Sequence, residues 1–209
     1  WRIVRINEDG TIRIVMQDGI NNNANIAFNS NYNNYSYIYY TNSNAKTQLE
    51  NWYQTNIGSN ASLASKVATG NYYCEQAKAK ATDSWTSGSA TMTLYSSYTP
   101  DFKCSSDGNN KGVVNASVGL LSYDEVVYAG GYYYKNNSNY YLYNPNIYWW
   151  TMSPAGFSGS YSAVWNVYPA GHVNYPNVNN TLCLRAVMNL NADTLVTGSG
   201  TSSDPYVVS

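Results

Sequence analysis

The sequence predicts an α+β fold with two main helices, short twisted antiparallel β-sheets and long Asn-rich loops. Three observations support this prediction: an alternating hairpin pattern at the N-terminus, a capping box in the second half, and a series of short strand patterns in the last third. Two helices among many short strands are typical of α+β proteins. We expect a single domain over residues 1–209, with a polar insertion at about residues 75–112.

The N-terminal hairpin is the first predicted element. Residues 1–6 and 11–16 alternate between apolar and polar side chains, and the Asp9-Gly10 pair between them is a strong turn signal. Residues 20–36, which come next, are rich in Asn and show little periodicity. This composition predicts a loop.

The first main helix is expected to begin near Ser43 or Asn44 and to end at Gly58. A second, shorter amphipathic segment is expected over residues 62–69. Apolar side chains recur at helical spacing in the first helix at Leu49, Trp52, Tyr53 and Ile57.

The second main helix is predicted from a capping box. The Ser122 side chain can accept a hydrogen bond from the Glu125 amide while the Glu125 carboxylate reaches back. We expect the helix over residues 124–129, closed by the left-handed cap Gly130-Gly131.

Short apolar runs after this helix predict the remaining strands. They are expected over residues 148–152, 160–168, 172–175 and 181–190, with a turn at 169–171 and edge strands at 194–196 and 205–208.

The composition excludes several classes of protein. Charged residues make up only 11% of the chain and the net charge is −1, whereas globular proteins usually carry about 25% charged residues. The 23 tyrosines argue against disorder. The 11 basic residues argue against nucleic-acid binding, because phosphate contacts need clustered Lys and Arg.

The expected location is extracellular. No apolar run approaches the roughly 20 residues that a transmembrane helix needs, so no transmembrane segment is expected in this chain. The sequence begins at Trp1 without a signal peptide, as a mature or excised ectodomain would.

We expect different roles for the three cysteines. Cys74 and Cys104 flank a polar segment and are a candidate disulfide pair, the alternative being two unpaired thiols. A loop of that size would gain roughly 3–4 kcal/mol of stability from the cross-link. Cys183 alternates with apolar neighbours and is expected to be a small packed residue.

The Tyr- and Asn-rich hairpin of the last third is the candidate ligand-binding surface. Tyrosine gives a large contact area at low entropic cost, and Asn gives adaptable hydrogen bonds, as in antibody paratopes. The alternatives are a solvated hairpin in an Asn-rich protein and, for the tryptophan, a place in the core. The candidates are Tyr161, Trp165, Asn166, Tyr168, His172, Asn174, Tyr175 and Asn177.

No catalytic, metal or cofactor site is predicted. His172 is the only histidine, lies next to a turn and has no Ser/Asp partner at a recognisable spacing. Arg185, in an inner strand, is expected to make a buried charge-assisted hydrogen bond that stabilises the fold.

A family resemblance adds to these expectations. The sequence Trp149-Trp150-Thr151, a Tyr/Asn-rich hairpin and Leu184-Arg185-Ala186-Val187 follow in order. This order resembles the C-terminal part of the C-type-lectin fold. The closest branch includes formylglycine-generating-enzyme-like domains and the variable proteins of diversity-generating retroelements. The resemblance extends to a group of bacterial surface proteins that share segments like residues 1–7, 45–53, 119–125 and 200–208, and it covers most of the chain except residues 75–112.

The sequence also departs from this family. Ala186 replaces a proline, and Val167 follows Trp165-Asn166 where sugar-binding C-type lectins have a calcium-ligating Asp. We therefore expect no lectin-type calcium site. Cys183 alone cannot supply the late cysteine pair of the formylglycine-generating enzymes, so that activity is not expected.

These observations lead to three functional hypotheses. The first is a non-catalytic cell-surface domain for ligand binding or adhesion, whose partner is a glycan or a protein. The second is a structural subunit of a bacterial pilus or extracellular filament, whose partners are further copies of itself. The third is an enzyme of the formylglycine-generating type, which the cysteine content disfavours.

Overall fold

The chain is mixed α and β, with few helices and several small sheets. The computed structural model describes residues 1–75, 84–85, 90–91, 100, 102, 112–157, 160–201 and 203–208. The pairing predicted for Cys74 with Cys104, and most of the insertion predicted at 75–112, lie outside these ranges.

The described strands are short and are numbered in chain order. They are β1 Arg2–Ile6, β2 Ile12–Val15, β3 Ile26–Ala27, β4 Tyr72–Cys74, β5 Ser84–Trp85, β6 Ala90–Thr91, β7 Val113–Asn115, β8 Tyr132–Tyr133, β9 Trp149–Phe157, β10 Ser162–Val167, β11 His172–Asn174, β12 Thr181–Leu182, β13 Val187–Leu190, β14 Val196–Thr197 and β15 Val207–Val208. The helical segments are Ile20–Asn23, Asn44–Tyr53, Ala61–Ala64 and Tyr123–Tyr128, the 3-10 turns Tyr35–Ile38 and Tyr40–Asn42, and the π turn Gln54–Gly58.

Two sheets organise the domain. The N-terminal hairpin is confirmed, and β13 from near the C-terminus pairs with it in the order β1-β2-β13. The second sheet has the order β8-β11-β10-β9. Its β8–β11 pair is parallel, so the prediction of purely antiparallel sheets is wrong at this edge. A parallel pair is possible here because the chain between β8 and β11 runs through β9 and β10 before returning.

Both main helices form where their capping signals predict. Ser43 Oγ accepts a hydrogen bond from the Lys46 amide at 3.0 Å, and the helix continues through the π turn to Gly58. The capping box is complete, because the Glu125 amide donates to Ser122 Oγ at 3.2 Å and the Ser122 amide donates to Glu125 Oε2 at 2.8 Å.

The segment predicted over residues 62–69 forms a shorter helix, Ala61–Ala64. Val67 instead bridges to Leu190, and the Ala68 amide donates to Asn189 O at 2.8 Å. Pairing with the sheet therefore replaces the last helical turn.

The strand predicted over residues 181–190 is interrupted between β12 and β13. In the gap, Leu184 O and Ala186 O accept hydrogen bonds from the amides of Ile20 and Met16. The Arg185 side chain donates to two backbone carbonyls, Met16 O at 2.8 Å and Leu142 O at 2.9 Å. The buried hydrogen bonds predicted for Arg185 are confirmed. Residues 183–186 therefore bond to the chain that follows β2 and do not continue the strand pairing of β12 into β13.

The Asn-rich loop after β2 contains an unusual turn. Asn21, Asn22 and Asn23 all have positive φ, at 51°, 56° and 63°, so the segment Ile20–Asn23 is a left-handed turn. Asn tolerates this region better than other non-glycine residues, because its short polar side chain can bond locally. The Asn23 side chain does so by accepting from the Gly19 amide at 2.6 Å.

An ion-pair cluster links the N-terminal sheet to the helix Tyr123–Tyr128. The buried Glu125 carboxylate lies 2.5 Å from Arg5 Nη1 and 2.6 Å from Arg13 Nε. Burial opposes ionisation of Glu125, but Arg13 and Arg5 outweigh it and hold the pKa below its ordinary value. The Glu125 carboxylate therefore caps the helix and also pairs with one arginine from each of the strands β1 and β2.

Among the described residues, none of the helices has the length and apolar character needed to cross a bilayer.

Candidate functional site

The sheet β8-β11-β10-β9 has two different faces, and strand β10 shows the difference. On one face Trp165 is only 2% exposed and stacks on Tyr123 of the helix, with ring centroids 4.3 Å apart. Tyr133 and Tyr175 contact the same indole ring edge-on. Of the two positions left open for Trp165, a ligand surface and the core, the structure shows the core, because strand alternation turns its side chain under the helix.

The opposite face of β10 presents Asn166. Its pairing partners in the sheet are Asn174 on β11 and Trp150 on β9. Paired residues project to the same side of a sheet. This face borders a pocket of about 360 Å³, which we call the Asn166 pocket. It is lined by Tyr148, Asn166, Tyr168, Pro176, Asn180, Thr181 and Leu182.

The Asn166 side chain is buried at the edge of this pocket. The residue is 1% exposed, and neither Oδ1 nor Nδ2 has a hydrogen-bond partner among the described residues. Buried polar groups in folded proteins nearly always have a partner. Asn166 is therefore a candidate for a group whose partner comes from a ligand.

Four aromatic side chains form a continuous row that leads to this pocket, and we call this row the ring ladder. Tyr134 stacks on His172 at 5.9 Å, His172 stacks on Tyr168 at 4.6 Å, and Tyr168 meets Tyr148 edge-on at 4.8 Å. The two terminal rings are 61% and 46% exposed, in Tyr134 and Tyr148 respectively. The ladder is a solvent-accessible aromatic surface with fixed internal geometry.

The predicted turn at 169–171 holds the centre of the ladder. The Tyr168 amide donates to His172 O at 2.9 Å, and the Gly171 amide donates to Tyr168 O at 2.8 Å. Gly171 has φ +83°, and a Cβ there would lie 1.8 Å from Asn137 O. Only glycine fits this position, which sets the spacing of two ladder rings.

His172 is oriented by one polar contact. Its Nδ1 lies 2.8 Å from Asn136 Oδ1. Burial lowers the pKa of His172 below its ordinary value, so the imidazole is neutral near pH 7. A neutral ring stacked between two phenol rings provides contact surface rather than charge.

The remaining candidates are held by internal contacts. The Tyr161 hydroxyl donates to Tyr175 O at 3.2 Å, and the Tyr133 hydroxyl donates to the Tyr175 hydroxyl at 3.3 Å. Asn174 Nδ2 donates to the Tyr168 hydroxyl at 3.3 Å and so supports the ladder from β11. Asn177 bridges to Ala163 through its backbone.

The structure thus brings Asn166, Tyr168, His172 and Asn174 together on one face of the sheet, while Trp165 faces the helix. Tyr175 adjoins the first group, because its amide donates to Asn174 Oδ1 at 2.8 Å, and its ring packs on Trp165. Sequence reasoning missed Tyr148 and Tyr134. Tyr148 lies two residues before Trp150, and a period of two places both on the face of Asn166. Tyr134 had no comparable signal, because its position depends on the parallel β8–β11 pairing.

The described part of the chain contains one free cysteine, Cys183. Cys183 is buried, and its Sγ lies 3.3 Å from Asn23 O. Burial, and secondarily Asp18, raise the pKa of this thiol, which disfavours the reactive thiolate. The described residues include no cluster of three or more His, Cys, Asp or Glu side chains arranged to hold a metal ion.

Comparisons of the chain with protein-family models, with curated proteins and with solved structures find no match.

Proposed function

We propose that this chain is a non-catalytic ligand-binding or adhesion domain of a bacterial cell surface, with a C-type-lectin-like fold. Its Tyr/Asn-rich surface binds a glycan or a protein. The observation that supports this proposal is the exposed ring ladder, which runs from Tyr134 to Tyr148 and ends at the Asn166 pocket.

The ring ladder suits recognition for a physical reason. Tyrosine rings have few rotatable bonds and a large contact area, so little conformational entropy is lost when a ligand covers them. The contacts between successive rings restrict them before any ligand arrives. A pocket beside such a surface adds polar groups that fix the orientation of the ligand.

The fold part of the proposal is supported by the pairing of β13 with the N-terminal hairpin. Strand β13 pairs with the N-terminal hairpin in one sheet, so the remaining helices and strands between β2 and β13 form one continuous insertion between paired strands. The ladder and the pocket lie in that region, on the sheet β8-β11-β10-β9.

Binding to an array of immobilised glycans and bacterial and host surface proteins tests the function. The variant carrying Tyr134→Ala and Tyr148→Ala should lose binding, since it removes both exposed ends of the ladder. Tyr72→Ala is the matched control, because Tyr72 is 65% exposed on a strand and lies outside the ladder. Absence of binding in the native chain, or equal binding by native and double variant, contradicts the proposal.

A filament subunit is the second candidate, and the C-terminal hairpin is the feature that favours it. Among the described strands, β14 and β15 pair with each other alone, and they carry the exposed apolar side chains Val196, Val207 and Val208. Exposed edge strands can pair with further chains. Electron microscopy of concentrated protein tests this: a regular lattice that is lost in Val207→Lys supports a filament, and dispersed monomers exclude it.

A further inference from the structure

The outer edge of β1 and the C-terminal hairpin β14–β15 are two exposed strand edges that lie outside the ring ladder. We infer that β15 of one copy of the chain adds to β1 of a second copy, so that identical chains join head to tail. This inference rests on the filament alternative and names the surface that receives the hairpin. It is independent of ligand binding by the ring ladder.

The hairpin β14–β15 is exposed on both of its faces. All described residues from 195 to 208 are exposed, among them Tyr206 at 49% and Val207 at 58%. An isolated two-stranded hairpin is marginally stable in water, because neither face is buried. Its apolar side chains gain stability when a further surface covers them. The hairpin therefore has the properties of a segment that docks on a partner.

The sheet β1-β2-β13 has one covered edge and one open edge. At β13, the residues Val67 and Gly119 form bridges with the strand. At β1, no strand or bridge of the described chain pairs with the outer edge. This edge presents a row of backbone N–H and C=O groups to which an extended strand can add.

A bulge places the exposed apolar side chains of β1 on one face. The pairing register shifts between Ile3 and Arg5, so β1 carries one extra residue there. Ile3 and Ile6 therefore project to the same face, where they are 38% and 70% exposed. Arg5 projects to the face of the helix, where it pairs with the glutamate of the capping box. In a strand that continues along β15, Tyr206 and Val208 share one face, which can cover the two isoleucines.

A cavity of about 150 Å³ lies on the helix side of β1. Its walls are mainly apolar and aromatic, and they include Phe102, Tyr128, Tyr141 and Leu142. When β15 adds to β1, Val207 projects to this side, because alternate residues of a strand face opposite sides. The cavity can therefore receive the Val207 side chain of the second copy.

Charge favours pairing between the unlike edges over pairing between two like edges. Strand β1 carries Arg2 and Arg5 and no acidic residue. By contrast, residues 193–208 include Asp193 and Asp204 and no Lys or Arg. Two copies of β1, or two copies of the hairpin, therefore repel each other, whereas β1 and the hairpin attract.

Charges at the ends of β1 also favour one strand direction. Glu8 and Asp9 are exposed directly after β1. A parallel addition of β15 places Asp204 near Arg2 and away from these two carboxylates. An antiparallel addition brings the three carboxylates together, which costs free energy. We therefore expect β15 to run parallel to β1.

Two variants, each of which disables one surface, test this contact. Val207→Lys disables the hairpin and Ile6→Lys disables β1, since lysine on an exposed edge opposes strand addition. In analytical ultracentrifugation the native chain should form oligomers that grow with concentration, and each variant alone should associate at least about 10-fold more weakly. Leu63→Lys is the matched control, because Leu63 is 46% exposed on the helix Ala61–Ala64, outside both surfaces. It should associate as the native chain does.

An equal mixture of Val207→Lys and Ile6→Lys tests that the two surfaces differ. One intact hairpin and one intact β1 remain in the mixture, so it should form particles of twice the mass of one chain and no larger. A mixture that stays monomeric, or that grows beyond two chains, refutes the head-to-tail contact.

The other outcomes separate this inference from the proposals above. Native chains that stay monomeric refute both the contact and the filament alternative and leave the ring ladder untouched. If Ile6→Lys assembles as the native chain does while Val207→Lys does not, the contact is refuted and the filament alternative stands. Weakened association of Leu63→Lys to the same degree also refutes the contact, because any added charge would then suffice.

Hydrogen exchange of the native chain gives a second measurement that needs no folded variant. The backbone amides of β1 and β15 should exchange more slowly at concentrations where oligomers form, whereas those of β13 should not change. Equal exchange of the β1 amides in monomer and oligomer refutes the contact.

Discussion

Trp165 and Asn166 are adjacent in strand β10 and project to opposite faces of the same sheet. Trp165 stacks on Tyr123 under the helix at 4.3 Å, and Asn166 lines a pocket at the end of the ring ladder. The strand period of two thus places one residue in the packed interface with the helix and its neighbour beside the pocket of the proposed binding surface. A change at either position should affect one property, stability or binding, and spare the other.

Trp165→Ala tests the stabilising half of this relationship. The indole ring contacts Tyr123, Tyr133 and Tyr175, and its removal leaves a large cavity between sheet and helix. We expect the free energy of unfolding, measured by urea denaturation, to fall by about 3–5 kcal/mol. Asn166→Leu should change it by less than about 1 kcal/mol, because no hydrogen bond is lost. Equal losses in the two variants would contradict the division of roles.

Gly171→Ala tests whether the turn sets the ladder. Gly171 has φ +83°, and an added Cβ would lie 1.8 Å from Asn137 O, so the turn between Tyr168 and His172 must move. Gly70 is the matched control, because it has φ +73° with nothing within 4 Å of an added Cβ. Gly70→Ala should cost only the left-handed backbone strain of about 1–2 kcal/mol.

Thermal unfolding and ligand binding distinguish these two glycine variants. Gly171→Ala should unfold at a lower temperature than Gly70→Ala and should also lose binding, since two rings of the ladder are displaced. Gly70→Ala should bind as the native chain does. A Gly171→Ala variant that matches Gly70→Ala in both measurements would show that the turn tolerates a side chain.

Local signals in the sequence predicted the elements that depend on local chemistry. The capping box at Ser122 and Glu125, the helix start at Ser43 and the hairpin at Asp9-Gly10 are all confirmed, because each signal lies within a few residues of the structure it specifies. The buried role of Arg185 is confirmed for a similar reason. A lone cation in an apolar strand has few alternatives to bonding backbone carbonyls.

Features that depend on distant pairing were not predictable from local patterns. The Tyr134 position in the ladder results from the parallel pairing of β8 with β11. The break between β12 and β13 results from hydrogen bonds with residues 16–20. Alternation in β10 predicts that its two faces differ, but not which face the helix covers, and for that reason both a surface and a core position stayed open for Trp165.

Arg185→Met tests the buried guanidinium that joins the strands to the chain after β2. It leaves Met16 O and Leu142 O without their donors, while the aliphatic side chain still packs against Trp149. We expect a loss of roughly 2–4 kcal/mol in urea denaturation. Arg185→Lys should recover part of this loss, because one ammonium group reaches only one of the two carbonyls well. Full stability of Arg185→Met would refute the proposed contribution.

The contributions of Glu125 and Glu75 to the free energy of unfolding should change in opposite directions with pH, because the pKa of Glu125 is lowered and that of Glu75 is raised. Burial opposes ionisation of Glu125, but Arg13 and Arg5 hold its pKa below the ordinary value of about 4.5. A depressed folded-state pKa gives stability that is complete above the unfolded-state value and is lost as pH falls through the folded one. Burial raises the pKa of Glu75 despite its hydrogen bonds from Thr41, so its contribution grows as pH falls.

Urea denaturation between about pH 3 and pH 8 measures both contributions when the native chain is compared with Glu125→Gln and with Glu75→Gln. The loss in free energy of unfolding caused by Glu125→Gln should be largest near neutral pH. It should shrink below about pH 4.5, because the Glu125 carboxylate then begins to be protonated in the unfolded state of the unsubstituted chain. The difference between the native chain and Glu75→Gln should change in the opposite direction. A deficit of Glu125→Gln that is constant with pH would mean that Arg5 and Arg13 do not stabilise the charged form.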